Sequence, residues 1–371
     1  MEQNFNGPNF TIGIEEELMI LDKKTLSLAN AIEDLLEDAP QEGDDGAIKP
    51  ELHESVLEIA TAPCRDTREA GAQLRGLRRQ VNELAARREL TIGSSGTHPF
   101  ALWEDQRISA RPRYRDLVST LRFVARQEII FGLHVHVGLD DAEKAIHVAN
   151  GMRVHTPLLL ALSANSPFWR GDPTGLASAR MPIFRAFPRV GMPPAYDDWA
   201  DFERRIDFMV KAKVIEDHTY LWYDIRPHPT FGTVEIRAMD AQTRVEHTLA
   251  LTALIQAMVK ELAEHYEAGK SLGQYPHEML DENRWIAARH GLDGDLVDLP
   301  SFDRVPAKAL AQRLYDRLRG HAQDLGSADE LEGIVDLLEG GNGAARQQVV
   351  YEANHDLTEV MREIVAVTLP N

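Results

Sequence analysis

Apolar and polar residues alternate through residues 10–22, FTIGIEEELMILD, with the two-residue period of a β-strand. Ile12, Ile14, Glu16, Leu18 and Ile20 fall on one face, and Gly13, Glu15, Glu17 and Met19 on the other. Strand-like runs lie at 9–22, 50–61, 91–96, 131–139, 218–226 and 232–239. Helical spacing of apolar residues marks 66–89, 199–216, 245–267, 303–325 and 344–366. The segment RPHPTFGT breaks 218–239 into two halves and predicts a hairpin. Strands and helices do not alternate, and helices gather towards the C-terminus. The pattern therefore predicts an α+β fold with a largely antiparallel sheet. The longest irregular stretch, 166–198, carries Trp169, Phe184, Phe187 and several arginines, which suits a functional loop better than a disordered one. Length alone allows two or three domains. No break in composition divides the chain, so residues 1–371 are read as one domain.

The strands carry the chemistry. Glu15 and Glu17 share a face, roughly 6.5–7 Å apart along the chain. Two carboxylates at that spacing suit a hard cation or a shared proton, or else form a solvated edge. In ELHESVLEIATAP (51–63), alternation puts Leu52, Glu54, Val56, Glu58 and Ala60 on one face, with Glu51, His53, Ser55, Leu57 and Ile59 opposite. Glu58, inside VLEIA, needs a cation, a proton or an arginine if it is buried. His134 and His136 project together from IIFGLHVHVGL, as metal ligands or as packed histidines. Glu235 and Arg237 share a face of GTVEIRAMD, and Trp222, Asp224 and Arg226 share one of LWYDIRPH. Such acid–arginine alternation can be a ladder of surface ion pairs. Its recurrence on every strand points instead to a sheet with one apolar face and one polar floor. Carboxylates converging there suit Mg²⁺, and mixed Glu and His ligands suit Mn²⁺ or Zn²⁺ equally. Magnesium with arginines implies phosphoryl transfer. No Walker A or GxGxxG sequence is present, and IGSSGTHP (92–99) reads as a turn presenting Thr97 and His98.

Composition narrows the classes. The 371 residues are 43% hydrophobic and 27% charged, with a net charge of −19. That balance argues against a nucleic-acid partner, which requires a basic surface. No apolar run approaches the roughly 20 residues of a membrane span. MEQNFNGPNF has neither the basic region nor the apolar run of a signal peptide, and Cys64 is the only cysteine. Both features fit a cytoplasmic location. Cys64 reads as a packed or loop thiol rather than a nucleophile.

Eight motifs in order resemble the glutamate–cysteine ligase type 2, or carboxylate–amine ligase, family, which is related to glutamine synthetase. They are GIEEEL, ELHESVLEIATAP, GTHPFALWEDQRIS, FGLHVHVGL, ALSANSPFWRG, ASARMPIFRAFPRVGMPP, WYDIRPHPTFGTVEIRAMD and ENRWIAARHGL. The resemblance implies a glutamine synthetase-like, curved sheet whose polar face binds ATP and Mg²⁺, with Mn²⁺ as an alternative, and whose other face carries helices. It implies phosphorylation of a carboxylate and displacement of phosphate by an amine, with glutamate and cysteine as the family's pair. By motif, Glu15, Glu17, Glu58 and Glu235 are metal ligands, with His134 as the preferred histidine, His136 as second choice, and Glu51 as a further acid. Arg237 suits the γ-phosphate or acyl phosphate. Arg180 and Arg226 hold substrate carboxylate or phosphate, or form structural ion pairs. Arg284 and Arg289 approach the nucleotide, and Trp285 is a packing residue or a contact. Glu16 points away from the metals. Glu235→Gln is expected to abolish turnover with little effect on folding. The partners expected are small amino-acid substrates, with a homodimer as the possible assembly. A metal-dependent amide hydrolase and a non-catalytic ligand sensor are the alternative readings.

Overall fold

The computed structural model describes residues 1–39 and 46–369. Among them, seven strands form one antiparallel sheet: β1 (Ile12–Asp22), β2 (Ala47–Pro50), β3 (Val56–Ala60), β4 (Leu90–Gly93), β5 (Gly132–Gly138), β6 (Ile225–His228) and β7 (Thr233–Asp240). Their order across the sheet is β6-β7-β5-β1-β3-β2, and β4 pairs with the far end of β1. β1 is the longest strand and pairs with β3, β4 and β5. β6 and β7 form the expected hairpin, with Arg226 opposite Glu235.

The apolar face produced by alternation is the core. Ile12, Ile14, Leu18 and Ile20 of β1 join Leu57 and Ile59 of β3, Leu133, Val135 and Val137 of β5, and Val234 and Ile236 of β7. Helices cover them: α1 (Thr67–Ala86), α2 (Ala142–Met152), α3 (Thr156–Ser163) and α4 (Val245–Glu267). Farther out lie α5 (His277–His290) and α6 (Ala307–Asp324). α1 begins where the Asp66 carboxylate accepts from the Glu69 N–H, and it buries Ala70, Leu74, Leu77, Val81 and Leu84 on one stripe. α4 is buried along most of its length and forms the spine of the helical layer. Cys64 packs in this core, where burial pushes its thiol up to about 11.

Glu16 is on the core face and fully buried. Arg78 of α1, equally buried, donates Nε and Nη2 to its two oxygens at 2.9 Å each. Thr248 Oγ1 of α4 donates to Glu16 at 2.5 Å, and the remaining Arg78 donors reach the carbonyls of Gln242, Thr243 and Thr368. The middle carboxylate of the EEE run is thus a bolt between the sheet, two helices and the C-terminal segment.

Three expectations change. Residues 51–63 are not one strand, because 51–55 form a turn before β3. The run 218–226 is interrupted at Asp224, which is buried outside the sheet. The run 344–366 is two helices, Gly343–Asn354 and Leu357–Thr368, separated at His355, whose φ is 52°. The 166–198 stretch is held by Asp240 at the end of β7. That carboxylate accepts from the Ser166 and Ser178 hydroxyls, at 2.6 and 2.9 Å, and from the Asn165 N–H at 2.8 Å. Among the described residues no helix is long and apolar enough to cross a membrane.

Candidate active site

The polar face of the sheet floors a cleft of about 360 Å³. Alternation aims Glu15 and Glu17 of β1, Glu58 of β3, His134 of β5 and Arg237 of β7 at one side of the sheet, and the strand order brings them together. Register does the rest: Glu15 lies opposite His134 on one neighbour, and Glu17 lies opposite Glu58 on the other. Glu235 lies opposite His136.

Two groups of donors result. Ligand atoms of Glu15, His134 and Glu235 lie within 4.8 Å of one another, and so do those of Glu17, Glu58 and His134. His134 belongs to both. Its Nδ1 is 3.3 Å from Glu15 and 3.4 Å from Arg237 Nη1. His136 Nε2 stands 3.7 Å from both Glu15 and Glu235 and has no hydrogen bond among the described residues. Glu17 accepts from the Gly132 N–H at 2.5 Å. Lys49, one residue sequence reasoning missed, bridges Glu58 at 3.3 Å and Glu15 at 3.8 Å. The donors are carboxylate oxygens and imidazole nitrogens, mutually close and in excess of the cations around them. They fit Mg²⁺ or Mn²⁺.

Electrostatics divides the acids into two kinds. Burial opposes charge on Glu15, but hydrogen bonds with His134 and His136 outweigh it and hold the carboxyl well below its usual range. Burial likewise opposes charge on Glu235, where Arg226 and Arg237 prevail. Burial, reinforced by Glu15 and Glu51, pushes Glu58 well above its usual range. Burial and the Glu17 charge push Glu51 up to about 8. Glu51 lines the cleft although strand alternation set it opposite Glu58, because the turn at 51–55 frees it from the pleat. It belongs to neither three-residue group.

The arginines separate by what they already hold. Arg237 pairs with Glu235 and lines the cleft. Arg180 is buried and lines the cleft, positioned by the Asp240 anchor through Ser166 Oγ, which accepts from its N–H at 3.2 Å. Arg226 also lines the cleft, but Glu235 and the carbonyls of Thr219 and Leu221 take its donors. That makes it a positioning residue for Glu235. Arg284 is 2% exposed and locked to Asp224, with Nη2 at 3.0 Å from its carboxylate. Arg289 is exposed and donates to the Gly175 carbonyl. Neither arginine, both expected to approach the nucleotide, lines the cleft, and each is occupied by a contact within the chain. Trp285 is 46% exposed on the outer side of α5. Thr97 and His98 also stay out of the cleft. Thr97 donates to the Phe168 carbonyl at 2.7 Å, and buried His98 contacts the Leu26 carbonyl at 2.8 Å.

The 166–198 stretch contributes Arg180, Phe184 and Phe187 to the wall. Tyr114, Arg113 and Glu128 complete it and carried no signal in the sequence, since they lie outside every recognised strand.

The model of glutamate–cysteine ligase family 2 matches residues 11–366. The chain belongs to this family. A relative from Rubrobacter xylanophilus, provisionally named glutamate–cysteine ligase 2-1, is 43% identical over 370 residues, covering 100% of this chain and 98% of its own. One from Sorangium cellulosum, provisionally named glutamate–cysteine ligase 2, is 42% identical over 357 residues, or 96% and 95% of the two chains. Among solved structures, a glutamate–cysteine ligase from Francisella tularensis in complex with AMP superposes with a TM-score of 0.69 at 16% identity, covering 99% of this chain and 90% of that one. A bifunctional glutathione synthetase from Pasteurella multocida gives 0.68 at 14% identity, covering 97% and 53%. At that identity the likeness is one of fold, and it agrees with the α+β class and antiparallel sheet expected from the sequence.

Proposed function

We propose that this chain is an ATP-dependent ligase that joins a carboxylate to an amine through an acyl phosphate, with glutamate and cysteine as the pair. The observation that carries the reading is the shared histidine: two carboxylate–imidazole groups meet at His134, and Arg237 stands beside both. Glu15 with Glu235, and Glu17 with Glu58, would each hold one Mg²⁺, with His134 completing the shell of one of the two, and Mn²⁺ as a substitute. When bound, such ions neutralise the phosphate charge and the substrate carboxylate. The family and the AMP complex of a relative of the same fold support the use of ATP.

The chain's own residues do the rest. Arg226 holds Glu235 in place from behind. Arg237 meets the charge that develops on the transferring phosphoryl group, in a site whose burial strengthens every such contact. Arg180 holds the substrate carboxylate, or the acyl phosphate made from it, by the planar guanidinium contact that suits both. Phe184 and Phe187 keep water from the activated acyl group. The partners proposed are free amino acids rather than nucleic acid or membrane, the 371 residues act as one domain, and a homodimer is the assembly proposed.

An ATP-consumption screen over pairs of carboxylic acids and amines, with Mg²⁺ or Mn²⁺, tests the reading. Phosphate release that needs both partners is expected. Amide cleavage without ATP would replace the ligase with a hydrolase.

A further inference from the structure

One acid in the cleft has no task in the chemistry above. Glu128, just before β5, lines the wall beside Ile130 and Arg180. Both its carboxylate oxygens are buried and have no hydrogen-bond partner among the described residues. Arg180 is in the same condition. It is 4% exposed, its Nε has no partner, its one side-chain hydrogen bond is a 3.5 Å contact to the Arg237 carbonyl, and it pairs with no carboxylate among the described residues. A buried carboxylate and a buried guanidinium thus face one cleft without meeting. Each is costly to desolvate in its charged form, and each is relieved by a partner of opposite charge, or for the acid by a proton.

Position says which part of the substrate each would take. A Cβ at Gly132 would come within 2.5 Å of Arg180 Nη2 and 3.0 Å of His134 Nε2. The guanidinium therefore lies against the start of β5, next to the histidine shared by both donor groups. A carboxylate or acyl phosphate held by Arg180 sits at the reacting end of the cleft. The charges that act on Glu128 are Arg180, which favours its ionisation, and Glu17, which opposes it. Glu128 and Arg180 line one cleft, so a cation drawn to Glu128 shares that cleft with the acyl group held by Arg180.

We propose that Glu128 binds the ammonium group of the incoming amine and accepts its proton. This rests on the ligase reading. The first proton passes from nitrogen to Glu128. The freed lone pair forms the C–N bond at the acyl carbon, and the C–O bond to the phosphoryl group breaks. Phosphate leaves with that electron pair and carries off the second nitrogen proton. Burial pushes the Glu128 carboxyl up to about 8, with Arg180 opposing. The α-ammonium group of a free amino acid stays largely protonated near neutral pH, so it needs an acceptor before its nitrogen can attack. A carboxyl raised in this way holds a transferred proton more readily than an ordinary carboxylate, as a general base requires.

Hydroxylamine, already neutral at the assay pH, separates this role from simple binding or folding. The full chain with ATP, Mg²⁺ and glutamate is offered cysteine or hydroxylamine, in the wild type and in Glu128→Gln. Both products are expected from the wild type. The variant should keep hydroxamate formation near the wild-type rate while amide formation with cysteine falls on the order of 10²–10⁴-fold. Glu128→Asp, which restores the charge, should recover part of the loss. Equal retention of both reactions, or equal loss of both in a variant that still folds and binds Mn²⁺, overturns the proposal. If Glu128→Gln does not fold, Glu128→Asp decides by the same ratio of the two products. If the wild type forms no hydroxamate with any carboxylate, the ligase reading fails and this proposal falls with it.

Discussion

Glu16→Gln and Glu17→Gln are neighbouring, isosteric changes with opposite expected consequences. The Glu16→Gln change removes the one carboxylate paired with Arg78 among the described residues, and that guanidinium has no exposure. The two 2.9 Å charge-assisted bonds lose their charge on one side, and the new amide group turns a donor towards Arg78 or Thr248. Breaking a buried pair by removing one partner costs about 3–5 kcal/mol. Glu17 stands on the other face, near Glu51 and Glu58, whose protonation it favours by repulsion. Its removal relieves like-charge contact, and an amide oxygen in its place still accepts from the Gly132 N–H. Stability without metal should therefore stay within about 1 kcal/mol of wild type, while Mn²⁺ binding is lost at the Glu17–Glu58–His134 group. Urea unfolding in EDTA, compared at equal m, measures the first pair of values, and calorimetric Mn²⁺ titration the second. A Glu16→Gln stability within about 1 kcal/mol of wild type, or a Glu17→Gln midpoint as low as that of Glu16→Gln, would refute the division of labour between the two faces.

Glu51 gives a pH dependence whose sign follows from its raised pKa. Between its ordinary value of 4.5 and about 8 the folded chain holds a proton that the unfolded chain has lost, so metal-free stability from this group falls as pH rises through that window. Glu58, raised in the same direction, adds to the trend. Mn²⁺ affinity should rise over the same range with proton release, visible as a buffer-dependent binding enthalpy; affinity flat from about pH 6 to 8 would contradict it. Glu235→Gln should abolish turnover but does not leave folding untouched. Arg226 and Arg237 lose their common counter-charge, and a loss of about 3–5 kcal/mol is expected in urea unfolding. Arg289→Ala should leave the KM for ATP within about twofold of wild type, because a surface contact to one carbonyl carries little energy. A tenfold rise would return Arg289 to the nucleotide site.

What the sequence made legible was periodicity, and what it hid was contact between strands distant in the chain. Alternation alone put Glu15 and Glu17 opposite Glu16, His134 with His136, and Glu235 with Arg237, because the pleat is a local property of the backbone. It failed at 51–55 and at Asp224, where a turn and a break end the pleat, and so it misplaced Glu51 and Asp224. Helical spacing found α1 and α4 to within a few residues but could not show that Arg78 would reach Glu16. Nor could it show that Arg284 would pair with Asp224. An arginine in a motif has the same sequence signature whether its partner is a ligand or a buried aspartate. The structure separates the two cases by asking which guanidiniums lack a carboxylate: Arg284 and Arg226 each have one, and among the described residues Arg180 does not. By the same criterion Glu128, ordinary in the sequence and half-buried with both carboxylate oxygens covered, stands apart from the buried acids Glu16, Asp240 and Glu235. Glu16 has its arginine, Asp240 its hydroxyls and Glu235 its two guanidiniums, while Glu128 has no partner among the described residues and faces the cleft.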